Sequence, residues 1–452
     1  MTTEHTRLPI PKNDASLFFD QQVEISITAQ LGSVMEKTDI RSTEGPFLVL
    51  PEYRTQYPGT VTRALANLYA EYNQAFAPLV MANREWSTDY QSCISPEGTP
   101  INGWIQIDMV GLPQAFLDAA PSLDPNEVRE TLRGKIFEIE NSLAMYQLLA
   151  NIFAFDSQDT LFKKEFFSSL DRLRQKHRRP IALLAVTAQK YQAMRESEFG
   201  KSDNEILTDA EIRTLSGFDH FFGPEDFISH LKENKCQSDY LLYVRSSDPV
   251  SKLRKPKTDV ENPLLANNDV RRIIKANAVT FNIDRPDVPL GSPAKINDTK
   301  AYLPPMGMAF PVFSDEDLSS SNFREFLASQ RIPQEQIESR EVHLRAKPMQ
   351  ASYGCYGHQH AAWNNTKFLK DLRYGLRERG PYVIQPEMKT PILVNEADGK
   401  MYTYIDRNFL ATDDDQNYYF MGGFRSLMPI DSQEANRGRV HGANATVWAE
   451  II

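Results

Sequence analysis

The segment EVHLRAKPMQASYGCYGH, residues 341–358, carries the pattern on which the fold prediction depends. Apolar and polar residues alternate from Val342 to Ala346, which predicts a strand with Lys347 near its end. A Gly-containing loop follows this strand. We therefore expect a strand that delivers one lysine to the start of a loop of small residues.

The loop contains Ser352, Gly354 and Gly357. A lysine just before such a loop suits the phosphates of a nucleotide, because the ammonium meets their charge and glycines let backbone N–H groups approach the oxygens. The alternative is a β-hairpin turn with an exposed lysine, which has no binding role.

Outward from this segment, GPYVIQPEMKTPIL (380–393) predicts an apolar strand that ends in Gln385, Pro386, Glu387 and Met388. A strand that stops at a proline leaves backbone groups unpaired at its end. Such an edge can hydrogen-bond an adenine while a nearby carboxylate binds ribose hydroxyls. A simple edge strand explains the same pattern.

Two aromatic-rich strands that carry arginines are predicted next, at 401–411 and 417–429, joined as a hairpin. Period-two alternation places Arg407 on the face of its apolar neighbours, opposite to the face of Asp406. A buried guanidinium needs an anion, which is a phosphate, a substrate carboxylate or an internal salt bridge. Arg425, beside two glycines, presents the same choice.

The segment 431–452 combines acidic, amide and basic side chains. Carboxylate and amide oxygens suit Mg²⁺, so Glu434, Asn436 and Glu450 are its candidate ligands. His441 could be a ligand or a base, but a lone histidine beside glycine is more often a structural hydrogen bonder.

Composition excludes several classes of protein. The chain has 452 residues and a net charge of -10, so a general affinity for nucleic acid or anionic membranes is not expected. Three scattered cysteines form no metal-ligand spacing and predict a reducing, cytoplasmic compartment. No secretory leader and no apolar run of membrane-spanning length is predicted.

Patterning along the chain predicts an α/β (α+β) fold of three parts. Residues 1–156 are predicted to be helix-rich, with helices at 60–80 and 126–153, the second entered through Asp124 and Pro125. Residues 157–294 are predicted to be an α/β domain, with strand candidates at 181–188, 238–249 and 271–284. Residues 295–452 are predicted to form a nucleotide-binding domain with an antiparallel sheet and a lid.

Taken in order, these segments resemble the ATP-grasp family over roughly residues 180–452. The segment NDTK (297–300) looks like the family's entry motif, in which Lys300 is the lysine near the start of the domain. Lys347 and the loop after it look like the family's strand lysine and its mobile glycine-containing loop. Gln385 to Met388 match the adenine-binding strand end, and Arg407 matches the arginine-bearing strand. The unit before residue 295 sits where the family has a pre-ATP-grasp domain.

The resemblance implies an ATP-dependent carboxylate–amine ligase that acts on amino-acid-like substrates through an acyl phosphate. Lys300 and Lys347 would bind phosphates, Lys347, Arg407 and Arg425 would stabilise the transferred charge, and Mg²⁺ would bridge the phosphates. One alternative is a degenerate ATP-grasp that binds a nucleotide or a protein without catalysis. The other is an ATP-dependent phosphotransferase.

Overall fold

The computed structural model describes residues 26–29, 31–33, 35–37, 47–82, 104–140, 160–185, 187–195, 206–245, 264, 267–277, 303–349, 358–388, 390–412, 417–430 and 446–452. All statements about the structure refer to these residues.

Their strands are β1 (Ser26–Ala29), β2 (Met35–Lys37), β3 (Phe47–Thr55), β4 (Trp104–Val110), β5 (Ile136–Glu140), β6 (Ile181–Ala185), β7 (His220–Phe222), β8 (Leu241–Arg245), β9 (Phe310–Val312), β10 (His343–Pro348), β11 (Gln359–Ala362), β12 (Tyr382–Pro386), β13 (Ile392–Asn395), β14 (Met401–Thr412), β15 (Tyr418–Pro429) and β16 (Val447–Ile451). Their α-helices are α1 (Gly59–Ala82), α2 (Gln114–Ala119), α3 (Pro125–Arg133), α4 (Leu161–His177), α5 (Ala188–Ala193), α6 (Asp209–Ser216), α7 (Pro224–Glu233), α8 (Asn268–Asn277), α9 (Ser321–Ser329), α10 (Gln334–Ser339) and α11 (Thr366–Arg379). The fold is mixed α/β, as the sequence predicts at this level.

A nine-stranded sheet forms the centre, in the order β1-β13-β14-β15-β16-β3-β2, with β4 paired to β14 and β5 paired to β4. The β1–β13 and β16–β3 pairs are parallel, and its other pairs are antiparallel. Strands from the predicted ranges 1–156 and 295–452 therefore share one sheet.

Helices cover both faces of this sheet. On one face α1 packs its apolar stripe, including Leu65 and Leu68, against β4 and Leu410 of β14. On the other face α4 packs Phe162 and Phe166 against Phe409. Leu410 and Phe409 are adjacent residues that point to opposite sides, as expected for a strand buried on both faces.

The second sheet is four-stranded and wholly antiparallel, in the order β11-β10-β12-β9. Its apolar face, with Leu344, Ala346 and Ile384, packs against α9, α10 and α11. The strands predicted around 341–346 and at the start of 380–393 are confirmed as β10 and β12. The residues of its other face take part in the site described below.

A third sheet is parallel and three-stranded, in the order β7-β6-β8. The strands predicted within 181–188 and 238–249 are confirmed as β6 and β8. The strand predicted at 271–284 is wrong for its described part, because residues up to Asn277 belong to α8. Val270 and Ile274 lie one helical turn apart and are buried in this core, which is a helical rather than an alternating pattern.

The described part of the N-terminal range 1–156 is less helical than its sequence suggests. Asp124 caps α3 by accepting from the backbone N–H groups of Asn126 and Glu127, as predicted. However, the helix predicted over 126–153 ends at Arg133, and Ile136–Glu140 form β5. The Gly134 that follows Arg133 is the signal for this end, because glycine commonly terminates helices.

Candidate functional site

Lys347 is the residue around which the site is built. It lies on β10 and is only 2 % exposed. Its Nζ donates to the carbonyl oxygen of Phe137 at 2.6 Å and lies 5.4 Å from the centroid of the Phe137 ring. Because Phe137 belongs to β5, this lysine links the four-stranded sheet to the edge of the nine-stranded sheet.

Gln385 of β12 shares the face of Lys347. It lies opposite Arg345, which is two residues before Lys347 on β10. Its Nε2 donates to the carbonyl oxygens of Met308 at 3.0 Å and Ile136 at 3.4 Å, which fixes the orientation of the amide. Its Oε1 is buried and accepts no hydrogen bond from the described residues. One acceptor therefore stays available near Lys347.

Arg407 lies on β14 of the nine-stranded sheet, on the same face as Phe409. It lies directly opposite Asp108 of β4, and Arg407 Nη2 is 3.6 Å from Asp108 Oδ2. Both side chains are at most 2 % exposed. Asp108 Oδ1 accepts from Gln106 Nε2 at 2.8 Å. The internal anion left open by the sequence is thus present, at a distance longer than a direct charge-assisted hydrogen bond.

Electrostatics connects these residues. Burial raises the pKa of Asp108 to about 6, with Arg407 and Lys347 opposing the rise and Glu138 adding to it. Glu138 lies opposite Asp108 on β5. Two cations and two carboxyl groups from β5, β4, β14 and β10 therefore interact where the two sheets meet.

Arg425 takes no part in this group. Its Nε and Nη2 donate to Oδ1 and Oδ2 of Asp406 at 2.8 and 2.9 Å, and its Nη2 also donates to the carbonyl oxygen of Leu112 at 2.9 Å. Asp406 and Arg407 are adjacent on β14 and point to opposite faces. The expectation that Arg407 and Arg425 converge on one triphosphate is therefore wrong, because the antiparallel register sets Arg425 opposite Asp406.

The end of β12 is more fully paired than predicted. β12 includes Pro386, which lies opposite Leu344, and the N–H of Glu387 donates to the carbonyl oxygen of His343 at 2.7 Å. The exposed Glu387 carboxylate is 3.3 Å from His343 Nδ1. Met388 follows and is half-buried. A free backbone N–H at Glu387 is thus not present for an adenine, while the carboxylate stays accessible from solvent.

Glu450, a predicted Mg²⁺ ligand, makes two contacts within the protein. Its Oε1 accepts from the N–H of Leu161, at the start of α4, at 2.9 Å, and its Oε2 is 3.1 Å from Arg54 Nε. These contacts join α4 and β3 to β16. Within the described ranges no group of three His, Cys, Asp or Glu side chains is placed to bind a metal.

Six other predicted residues lie outside the described residues: Lys300, Ser352, Gly354, Gly357, Glu434 and Asn436. Their part in the predicted site stays a prediction.

Three residues of the group were missed by sequence reasoning: Gln106, Asp108 and Glu138. In WIQIDMV (104–110) the polar residues Gln106 and Asp108 alternate with apolar ones, which is the signal of a strand with one polar face. That signal was hidden by the helical patterns on either side of it.

No described helix is both long and apolar enough to cross a membrane. Comparisons with protein-family models and with curated proteins give no match for this chain.

Proposed function

We propose that the chain is an ATP-dependent carboxylate–amine ligase whose nucleotide lies where the four-stranded sheet meets β5, β4 and β14. The observation that carries the proposal is the electrostatic group formed by Lys347 and Arg407 around Asp108. The resemblance implies that Lys347 binds phosphate and that Arg407 stabilises the transferred charge, and the two residues come from different sheets.

Lys347 and Arg407 would supply positive charge to the phosphates. In a desolvated site such charges stabilise a transferring phosphoryl group more than they would in water. Both side chains are almost completely buried, and Lys347 is anchored through Phe137. Little reorganisation is then needed when the transferred charge develops.

Gln385 would contact the base. Its Oε1 is a buried acceptor whose orientation is fixed by Met308 and Ile136. The exocyclic amino group of adenine is a donor and would complete its hydrogen bonding. The exposed carboxylate of Glu387 and the side chain of Met388, at the end of the same strand, would lie beside the ribose and the base.

The chemistry follows in two steps. A substrate carboxylate oxygen attacks the γ-phosphorus, the bond to the β,γ-bridging oxygen breaks, and ADP leaves. The amine then attacks the acyl carbon, the carbon–oxygen bond to phosphate breaks, and the nitrogen loses a proton as the amide forms. Lys347 and Arg407 act in the first step by neutralising the phosphoryl oxygens.

The test compares Lys347→Met with Lys370→Met. Methionine keeps the length and apolar stem of the buried lysine but removes its charge, while Lys370 is exposed on α11. ADP release is measured with mixtures of amino acids and other carboxylates, with and without Mg²⁺, and circular dichroism checks that each variant is folded. We expect Lys347→Met to lose at least about 100-fold in turnover and Lys370→Met to match wild type.

Full turnover in a folded Lys347→Met variant would contradict the proposed site. Hydroxylamine separates the reaction classes, because it traps an acyl phosphate as a hydroxamate. ADP release without a trapped hydroxamate would favour the phosphotransferase.

One observation favours a second candidate, a nucleotide-binding module without catalysis. Glu450, the described member of the predicted metal set, is engaged by Leu161 and Arg54 rather than directed to a metal. Tight ATP binding with no ADP release under any acceptor would support this candidate over the ligase.

A further inference from the structure

Two buried ion pairs on β14 differ in the distance between their charged groups. Arg425 meets both carboxylate oxygens of Asp406 at 2.8 and 2.9 Å. Asp406 also accepts from the hydroxyl of Tyr57 at 2.7 Å and from the N–H of Leu112 at 2.8 Å. Both carboxylate oxygens of Asp406 therefore accept hydrogen bonds, and the pair stabilises the sheet.

In the pair on the opposite face, the charged groups lie further apart. Arg407 Nη2 and Asp108 Oδ2 are 3.6 Å apart, beyond the 2.7–2.9 Å typical of charge-assisted hydrogen bonds. Asp108 takes its direct hydrogen bond from a neutral group, Gln106. An incoming anion would therefore break no direct hydrogen bond between Arg407 Nη2 and Asp108 Oδ2.

Three charged groups interact electrostatically with Asp108: Arg407 on β14 and Glu138 on β5, which both lie opposite it, and Lys347 on β10 of the four-stranded sheet. Burial is the largest influence and raises the pKa of Asp108 to about 6, whereas Arg407, the hydrogen bond from Gln106 and, least of these, Lys347 lower it. Ionisation of Asp108 at neutral pH is thus favoured by that hydrogen bond and by the two cations, Arg407 and Lys347. They are also the two cations assigned to the nucleotide phosphates.

We propose that Asp108 is the counter-ion that nucleotide phosphate replaces at Arg407 and Lys347, and that Asp108 takes up a proton from solvent when the nucleotide binds. The inference rests on the proposed function, since the incoming anion is the triphosphate. Asp108 is a positioning residue: it keeps the two cations together across the sheets until phosphate arrives.

Thermodynamic linkage gives this exchange a measurable consequence. If binding takes up a proton, affinity falls as pH rises, by up to tenfold for each pH unit when one full proton is bound. The fall should start near pH 6, where Asp108 of the free protein ionises. A carboxylate that only supported the fold would leave affinity independent of its protonation.

The experiment is isothermal titration of the full chain with ATP alone, at about pH 7, in two buffers with different ionisation enthalpies. Wild type is compared with Asp108→Asn and with Asp371→Asn, a control on the exposed side of α11. Protonation of ATP itself is common to all three proteins, so the differences between them report the protein. We expect wild type and Asp371→Asn to take up about half a proton or more per ATP beyond Asp108→Asn.

Equal proton uptake by wild type and Asp108→Asn, with ATP bound to both, would overturn this inference and leave the nucleotide site standing. Failure of wild type to bind ATP would remove the proposed function and this inference together. Glu138→Gln provides a second variant if Asp108→Asn does not fold. Because Glu138 raises the pKa of Asp108, its neutralisation should move the fall in affinity to lower pH; an unchanged pH profile would count against the exchange.

Discussion

Asp406 and Arg407 are consecutive residues of β14, and each anchors a buried ion pair on a different face of the nine-stranded sheet. Asp406 binds Arg425 on one side, and Arg407 faces Asp108 on the other. One strand thus carries a directly hydrogen-bonded ion pair and a second ion pair with a longer separation, which belongs to the candidate site. We therefore expect different effects on stability when each pair is changed.

The Asp406–Arg425 pair should be essential for stability. Arg425→Met leaves Asp406 buried with its charge uncompensated, and breaking a buried pair in this way costs about 3–5 kcal/mol in the free energy of unfolding. Urea unfolding measures the loss. Arg373→Met is the control: it removes an exposed partner of Asp315 and should cost less than about 1 kcal/mol. Equal, small losses in the two variants would show that Asp406 finds another partner.

Asp108 should make stability depend on pH. The pKa of Asp108 is raised in the folded protein to about 6 from 3.8, so its contribution to stability is complete only below pH 3.8 and is lost as pH rises through 6. Relative to Asp108→Asn, wild type should lose roughly 2–3 kcal/mol of unfolding free energy between about pH 4 and 7. Denaturant unfolding of both proteins across this range measures the difference. A constant difference would mean that Asp108 ionises alike in the folded and unfolded chains.

His220 should change the pH dependence of stability in the direction opposite to that of Asp108. Burial lowers the pKa of His220 below 6.5, and the electrostatic effects of Arg213 and His230 lower it further, against Asp209 and Asp226. The stability it contributes is therefore full above pH 6.5 and is lost as pH falls through the lowered value. NMR titration of the labelled histidine ring measures this pKa directly. A midpoint at or above 6.5 would contradict the prediction.

Gly423 should not tolerate a side chain. A Cβ at this position of β15 would lie 2.3 Å from the carbonyl oxygen of Arg407, a backbone atom that cannot move alone. Gly423→Ala should therefore destabilise by about 1–3 kcal/mol or more and weaken ATP binding through displacement of Arg407. The matched change Gly59→Ala, at the start of α1, brings the added carbon within 4 Å of no atom beyond its chain neighbours and the backbone of its own helix, and should stay within about 0.5 kcal/mol of wild type. Thermal melts and ATP titrations of both variants test this.

The sequence predicted the strands that carry Lys347, Gln385 and Arg407, because alternation within one strand is a local signal. It also placed Asp406 and Arg407 on opposite faces. It did not predict which strands would meet: β4 and β5, which bring Asp108 and Glu138 to Arg407, come from a part of the chain predicted to be helix-rich.

The position of Arg425 is a second example of what local sequence patterns do not predict. Whether a buried arginine binds a ligand or a neighbouring carboxylate depends on the register between two strands, and register here sets Arg425 opposite Asp406. Period-two patterning gives the face of a residue but not its partner across the ladder. Partner choice had to come from the three-dimensional structure.

The parallel pairing of β3 with β16 affects the folding of the chain during synthesis as well as its stability. On the ribosome β3 emerges long before β16, because Thr55 and Val447 are far apart in the sequence. Such distant pairing closes a very long loop and is slow to form. Newly synthesised chains should consequently expose the edge of β3 to chaperones until translation reaches β16.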